Sequence, residues 1–355
     1  MMNPSPWIAV TLGDPLGVGP EVTLKALDTF LQQEKPIPPT SIPIVLYGLP
    51  THFEHYPSVK ELANHLFEKY NIQTIHSIDD IAPKHTPYTL YFLEVPQAAK
   101  APNPFRLAGL AAKASLKKAV DDLIDVPNGC LITAPISKHR MGSIGFDYGG
   151  HTEYLAKRFG VSDVRMVMHS DELRVLLETI HIPLEEVHQH CSPSGFDVTL
   201  RLLDQEVKDS HQSDSPFKVA MLGLNPHAGD GGHISNFEKE IMTPWIEKAN
   251  KQSHSIQITG PYSADGFFAH HELQDVDLVW AMYHDQGLIP FKMLSKTKGG
   301  LNKTLGLPIL RVSPDHGTAD NIAGHNKANP TSMTSSFEYC WSWIVNQHDK
   351  QKTEV

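Results

Sequence analysis

The sequence predicts an α/β protein of two domains carrying largely parallel sheet. Three observations lead there. Short apolar runs alternate with longer stretches of helical periodicity along the chain, the pattern that sets helices between parallel strands. The chain has 355 residues, too many for one ordinary core. Apolar residues make up 40% and charged residues 20%, which suffices for a sizeable core and does not describe a disordered chain.

The elements follow in order. WIAVTLGD (7–14) reads as a buried strand, and Leu24, Leu27 and Leu31 then recur at helical spacing. IPIVLYG (42–48) is a second strand, and Leu62, Leu66 and Tyr70 mark a second helix. YTLYFLEV (88–95) alternates as a strand. Residues 106–125 form a long helix with Leu116, Val120 and Leu123 on one face, before the strand CLITAPI (130–136). The middle is richer in strands: VRMVMHS, ELRVLLETI, FKVAMLGLN, IQITGPYS and VDLVWAMYH, with helices near 151–160, 197–208 and 236–250. Neighbouring strands there imply some antiparallel pairing. The chain closes on LPILRVS (307–313), a loop and a helix near 331–346. SHQSDSP (210–216) reads as a loop and HDKQKTEV as a frayed tail.

A formal charge of −10 argues against nucleic acid or an acidic membrane surface as partner. No stretch approaches the ~20 apolar residues of a spanning helix. The N-terminus lacks the basic and apolar regions of a signal peptide. Cys130, Cys191 and Cys340 are far apart and form no CxxC pair, against a disulfide framework or thiolate site. A cytoplasmic enzyme fits. With 21 histidines beside 3 cysteines, any metal must be held by imidazole and carboxylate, which suits zinc or a harder divalent ion.

The histidines carry the functional signal. His181 follows ELRVLLETI, His227 follows VAMLGLNP, His284 closes VDLVWAMY and His316 follows ILRVSPD. All four stand just past the carboxyl end of a strand, where open α/β sheets bind ligands. One such histidine is usually structural; four at one kind of position point to a site.

Gly-rich turns accompany them. GDPLGVGPE (13–21) joins the first strand to its helix. GGHTE (149–153) puts His151 and Thr152 at a helix start, open to two readings: an anion site on free backbone N–H groups, or Thr152 as a plain cap. GLNPHAGDGG (223–232) reads as a site loop. Lys292, in MYHDQGLIPFK, lies on a site helix or a solvated face. Asn302 is a lone polar residue near a strand. Arg311 stands inside the apolar LPILRVS and calls for an anionic partner, a structural carboxylate or a substrate phosphate.

TLGDPLGVGPE, ITAPISK, GGHTE, ETIHIPL, GLNPHAGDGGH, MYHDQGL, NKTLGLP and RVSPDHGTA together resemble the 4-hydroxythreonine-4-phosphate dehydrogenase family of pyridoxal phosphate biosynthesis, in the family's order and over nearly the whole chain. HGTADNIAGHNKANP (316–330) is also similar to the dinucleotide loop of isopropylmalate dehydrogenases. The resemblance implies the isocitrate/isopropylmalate dehydrogenase fold, which is not a Rossmann fold, with two α/β domains flanking a cleft. Residues 1–135 plus 296–355 would form the first domain, with both chain ends and the cofactor loop. Residues 136–295 would form the second, with the metal ligands and a homodimer interface.

By the same resemblance, His181, His227 and His284 bind a divalent metal, with zinc, magnesium or cobalt as candidates. His151, Thr152, Lys292, Asn302 and Arg311 contact a small phosphorylated hydroxy acid, and Asp265 and Lys292 serve in acid–base steps. His316, Gly317, Thr318, Ala319 and Asn329 hold NAD, or NADP. Where isopropylmalate dehydrogenases carry a ribose-binding aspartate, this loop has Asn321, with Asp320 one place earlier. The implied reaction oxidises 4-phosphohydroxy-L-threonine at C3 and decarboxylates the product to 3-amino-2-oxopropyl phosphate, in active sites shared between the two subunits. Two rivals stand beside it: a sister dehydrogenase of 4-phosphoerythronate or 4-phosphothreonate, and a metal-dependent phosphate hydrolase, which would not need the dinucleotide loop.

Overall fold

A computed structural model describes residues 7–33, 42–81, 90–96, 103–126, 129–210, 213, 215–270 and 273–353. In chain order the strands are β1 (Ile8–Thr11), β2 (Ile44–Gly48), β3 (Gln73–Ile75), β4 (Leu90–Glu94), β5 (Cys130–Thr133), β6 (Arg165–His169), β7 (Arg174–Leu177), β8 (Phe217–Leu222), β9 (Ile256–Tyr262), β10 (Leu278–Ala281), β11 (Leu301–Leu305) and β12 (Leu310–Pro314). The chain divides into two units, Met1–Ser162 with Leu307–Val355, and Asp163–Gly306.

In the first unit the strand order is β3-β4-β2-β1-β5-β12, with every pairing parallel. Strands β1, β2, β5 and β12 are buried at every residue, as a parallel sheet covered on both faces requires. Helix Gly19–Gln32 starts with Pro20 and Glu21 in its first turn and buries Val22, Leu27 and Phe30, so fixed φ and a favourable charge–dipole contact begin it where the glycine turn ends. Phe30 stacks on Phe337 of the C-terminal helix, Thr331–Thr353, with centroids 5.6 Å apart. That helix runs through most of the segment expected to fray; residues 354–355 of that segment lie outside the described residues, as do 88–89 of YTLYFLEV and 211, 212 and 214 of SHQSDSP.

The second unit orders its strands β11-β6-β7-β10-β8-β9. The pairs β11/β6 and β6/β7 are antiparallel, and β7, β10, β8 and β9 run parallel. Its core centres on Phe196, Trp245 and Trp280, with Trp245 and Trp280 edge to face at 5.6 Å. The antiparallel pair arises where VRMVMHS and ELRVLLETI follow each other without room for a crossover helix.

Both unit boundaries lie later in the chain than the sequence reading of 135/136 and 295/296. Met141, Phe146, Tyr154 and Leu155 belong to the first unit's core beside Leu116 and Leu131, which holds residues 136–162 there. At the return, β11 pairs with β6 and so stays in the second unit. Strand β11, like the three-residue β3, has no strand signature in the sequence. It reads LNKTL, and its Lys303 is buried by pairing with Glu206. No helix among the described residues is long and apolar enough to cross a membrane.

Candidate active site

In the second unit, β7, β10 and β8 lie side by side and parallel, so their carboxyl ends open at one edge of the sheet. The loops leaving them are laced together. Thr179, two residues past β7, donates its N–H (3.2 Å) and Oγ1–H (2.7 Å) to the Met282 carbonyl, just past β10. Gln286 accepts from Met282 N–H at 2.7 Å and donates through Nε2 to the Gly223 carbonyl, just past β8, at 2.7 Å. One amide side chain thus joins two strand ends, using its acceptor for one and its donor for the other.

These loops carry His181, His284 and His227. The rings of His181 and His284 lie 5.8 Å apart between centroids. His284 Nδ1 is 2.7 Å from Asp285 Oδ1, a contact that orients the ring and leaves Nε2 for another partner. His227 is exposed on its own loop with φ +53°. Among the described residues, no three His, Cys, Asp or Glu side chains converge closely enough to hold a metal ion. The donor chemistry fits a divalent cation, and two of the three imidazoles are neighbours.

Asp265 opens the helix Ala264–His270 and is exposed. The Ser263 hydroxyl and then the Gly266 N–H hold its carboxyl below the usual carboxylate range, and the nearby charge of His227 adds to this. Lys292 is exposed in the last turn of helix His284–Leu294. Asn302 sits on β11 opposite Met168, and its Oδ1 is buried without a hydrogen-bond partner among the described residues.

In the first unit, Arg311 lies on β12 and is 3% exposed. Its Nη2 donates to Thr133 Oγ1 on neighbouring β5 at 2.7 Å. Burial depresses the guanidinium pKa to about 10, and the charge of Glu153 opposes that shift. Arg311 thus meets a hydroxyl in contact and a carboxylate charge that acts through space. His151 begins helix His151–Phe159. Its Nε2 is shut off from solvent with no partner among the described residues. Burial first, and then the Arg311 charge, push the ring well below its usual pKa, so it stays neutral at pH 7. The N-cap is Gly150 with no side-chain cap bond. Thr152 is therefore not the cap, and the first-turn N–H groups are not taken by a capping side chain.

The loop carrying His316, Gly317, Thr318 and Ala319 is fastened to the first βα turn. Val18 N–H donates to the Thr318 carbonyl at 2.9 Å, and a Cβ on Gly17 would stand 2.9 Å from Thr318 Cβ. Only glycine lets the backbones approach so closely. His316 Nδ1 lies 3.0 Å from the Gly317 carbonyl. Asn329 Oδ1 accepts from Thr331 N–H (3.0 Å) and Thr331 Oγ1–H (2.6 Å), so this side chain starts the C-terminal helix. Asp320 is gripped by Arg140 through two bonds, 2.8 and 2.9 Å, while Arg140 Nε donates to the buried Asp14. Sequence reasoning missed Arg140, Asp14, Thr133, Thr179 and Gln286. All but Arg140 lay within quoted motifs, Asp14 in the GDP turn, Thr133 in ITAPISK, Thr179 in ETIHIPL and Gln286 in MYHDQGL.

The family model described as pyridoxal phosphate biosynthetic protein PdxA matches residues 45–340. The chain belongs to this family. It is 39% identical to the 4-hydroxythreonine-4-phosphate dehydrogenase of Sulfurihydrogenibium sp. (strain YO3AOP1), covering 93% of this chain and 96% of that one. The enzyme of the same name from Aquifex aeolicus is 38% identical, covering 92% and 94%. The crystal structure of 4-hydroxythreonine-4-phosphate dehydrogenase from Klebsiella pneumoniae superposes with a TM-score of 0.73 at 28% identity, covering 97% and 99%. Isocitrate dehydrogenase from Methylococcus capsulatus, at 14% identity, a TM-score of 0.50 and coverage of 98% and 88%, shares the fold alone. The PdxA match takes in every residue named above from His151 to Asn329, while the GDPLGVGPE turn precedes it.

Proposed function

We propose that this chain is a dinucleotide- and divalent-metal-dependent dehydrogenase that oxidises 4-phosphohydroxy-L-threonine at C3, with loss of carbon dioxide, to 3-amino-2-oxopropyl phosphate. The observation that carries it is the Arg311 group. A guanidinium sealed in the fold, beside a neutral histidine and a helix start without a side-chain cap, suits a phosphate or carboxylate. The names of the relatives fit such a substrate.

Arg311, His151, Thr152, Lys292 and Asn302 bind and orient the substrate, so that C3 faces the nicotinamide held by the 316–329 loop. The C3 hydrogen leaves as hydride to NAD or NADP, and the alcohol proton passes to Asp265 or Lys292. The resulting β-keto acid breaks its bond to the carboxylate carbon, carbon dioxide leaves, the bonding pair passes through C2 to the ketone oxygen as an enolate, and the proton held by Asp265 or Lys292 is returned to C2. A zinc, magnesium or cobalt ion held by His181, His227 and His284 would supply Lewis-acid stabilisation of negative charge on the oxygen.

The histidine set is completed across a homodimer in this reading. The nearness of the His181 and His284 rings at the carboxyl ends of adjoining strands supports it. So do Ile289 (60% exposed) and Met293 (74% exposed), one turn apart on the helix that His284 begins. Three buried free cysteines support a reducing, cytoplasmic setting.

The test is NADH formation by the purified protein with 4-phosphohydroxythreonine, 4-phosphoerythronate or 4-phosphothreonate, each with and without a chelator. Chelator-sensitive turnover of the first alone is expected. Preference for either of the others would move the substrate and keep the chemistry, and no turnover of any of the three would overturn the reading.

A further inference from the structure

The loop GLNPHAGDGG presents His227 in an unusual way. From His227 to Gly231 every φ is positive, at 53, 48, 80, 46 and 62°. His227, Ala228 and Asp230 have side chains, and L-residues avoid this region because Cβ crowds the following carbonyl. Such a left-handed run persists only where its surroundings over-determine it.

Among the surroundings, with the Ser235 backbone pressed against Gly229, one side chain holds both the entry and the middle of the turn. Glu238 is 2% exposed and begins a single π-helical turn, Glu238–Met242, a feature frequent near functional sites. Its Oε1 accepts from Asn225 N–H at 2.7 Å and from Asn225 Nδ2–H at 3.1 Å. Its Oε2 lies 3.3 Å from Asn225 Nδ2 and 2.6 Å from where a Cβ on Gly229 would stand. The carboxylate thus fixes the entry to the turn and packs under its middle. The turn then closes on itself, with Ala228 N–H to Asn225 O (3.1 Å), His233 N–H to Asp230 O (3.0 Å) and Ile234 N–H to Gly229 O (3.1 Å).

We propose that Glu238 is the positioning residue for His227: it holds the left-handed turn that presents this imidazole to the metal. The proposal rests on the metal reading above for the ion, and on geometry alone for the turn. Two readouts on the full-length protein separate these. In Glu238→Ala, amide exchange at Ala228, His233 and Ile234 speeds up about tenfold or more, while exchange in β8 stays as in the wild type. Cobalt(II) binding, followed by its visible absorption, weakens about 10–100-fold. Glu238→Gln, which keeps a carbonyl for Asn225 N–H, falls between on both measures and guards against a variant that fails to fold.

Because Glu238 acts through His227, the double variant Glu238→Ala/His227→Ala binds cobalt(II) no more weakly than His227→Ala alone. Unchanged exchange at the three amides overturns the proposal, and so does a double variant in which the two losses sum. Faster exchange together with wild-type cobalt(II) binding by His227→Ala would remove His227 from the metal site and leave the hold of Glu238 on the turn in place.

Discussion

Arg311 on β12 and His284 just past β10 belong to one unit each, yet their surroundings are opposite. Arg311 is enclosed by an all-parallel sheet, touches a hydroxyl and is depressed in pKa by burial alone. His284 is more than a third exposed and is oriented by its own neighbour, Asp285. The first unit prepares its charge by desolvation, which strengthens any anion contact but forbids adjustment. The second presents its histidines on laced loops, where orientation comes from hydrogen bonds. A buried charge and an open donor set are thus two separate routes to a ready site.

Substitutions in the two units should therefore fail differently. The largest effect is expected of His227→Ala, with kcat down roughly 10³-fold or more and bound metal lost, while thermal unfolding stays cooperative near the wild-type midpoint. Full activity with metal retained would show that the open donors are not ligands. Arg311→Met should lower kcat/KM roughly 10²–10³-fold, with KM raised, while stability holds or rises because an apolar chain replaces a desolvated cation. Loss of stability with unchanged kinetics would make Arg311 structural and dissolve the contrast.

The smallest effect sharpens the same contrast through pH. His52 is buried, with Nε2 3.0 Å from the Gly13 carbonyl and Nδ1 3.0 Å from Leu49 N. Burial drops its pKa from 6.5 to about 4. As pH falls below 6.5 the unfolded chain takes up a proton that the folded ring refuses until about pH 4, so stability falls with pH. His52 alone should cost roughly 2 kcal/mol at pH 5, read as a lower urea midpoint. His52→Gln should flatten that slope, and an unaltered slope would exclude His52 as its source.

Most strands legible in the sequence carry apolar runs that are buried, whereas IQITGPYS was legible by its alternation, with β9 buried at Ile256 and Ile258 and exposed between them. Strand β11 was not, because its Lys303 is neutralised by Glu206, almost a hundred positions earlier in the chain, and no local pattern reveals such a partner. Position relative to strand ends found His181, His227 and His284, since carboxyl ends of parallel strands follow from the strand assignment alone. It could not tell that His181 and His284 would be neighbours and His227 apart. Motif likeness placed Asn329 in the cofactor loop; that its Oδ1 also accepts from Thr331 at the start of a helix is a local contact the motif does not show. Glu238 and Arg140 were invisible for one reason: each looks like an ordinary surface residue until the chain brings its partner near.

The three buried cysteines have a use beyond composition. Cys130 lies on a strand of the first unit, Cys340 on the helix that packs against it, and Cys191 in the second unit. Burial, with the charge of Glu178, pushes the Cys191 thiol up to about 12, so the native thiol is inert to alkylating reagents. Each unit thus contains at least one silent label that reacts only when its own interior opens, and the rates at Cys130 and Cys191 would time the breathing of the two halves separately without any added probe.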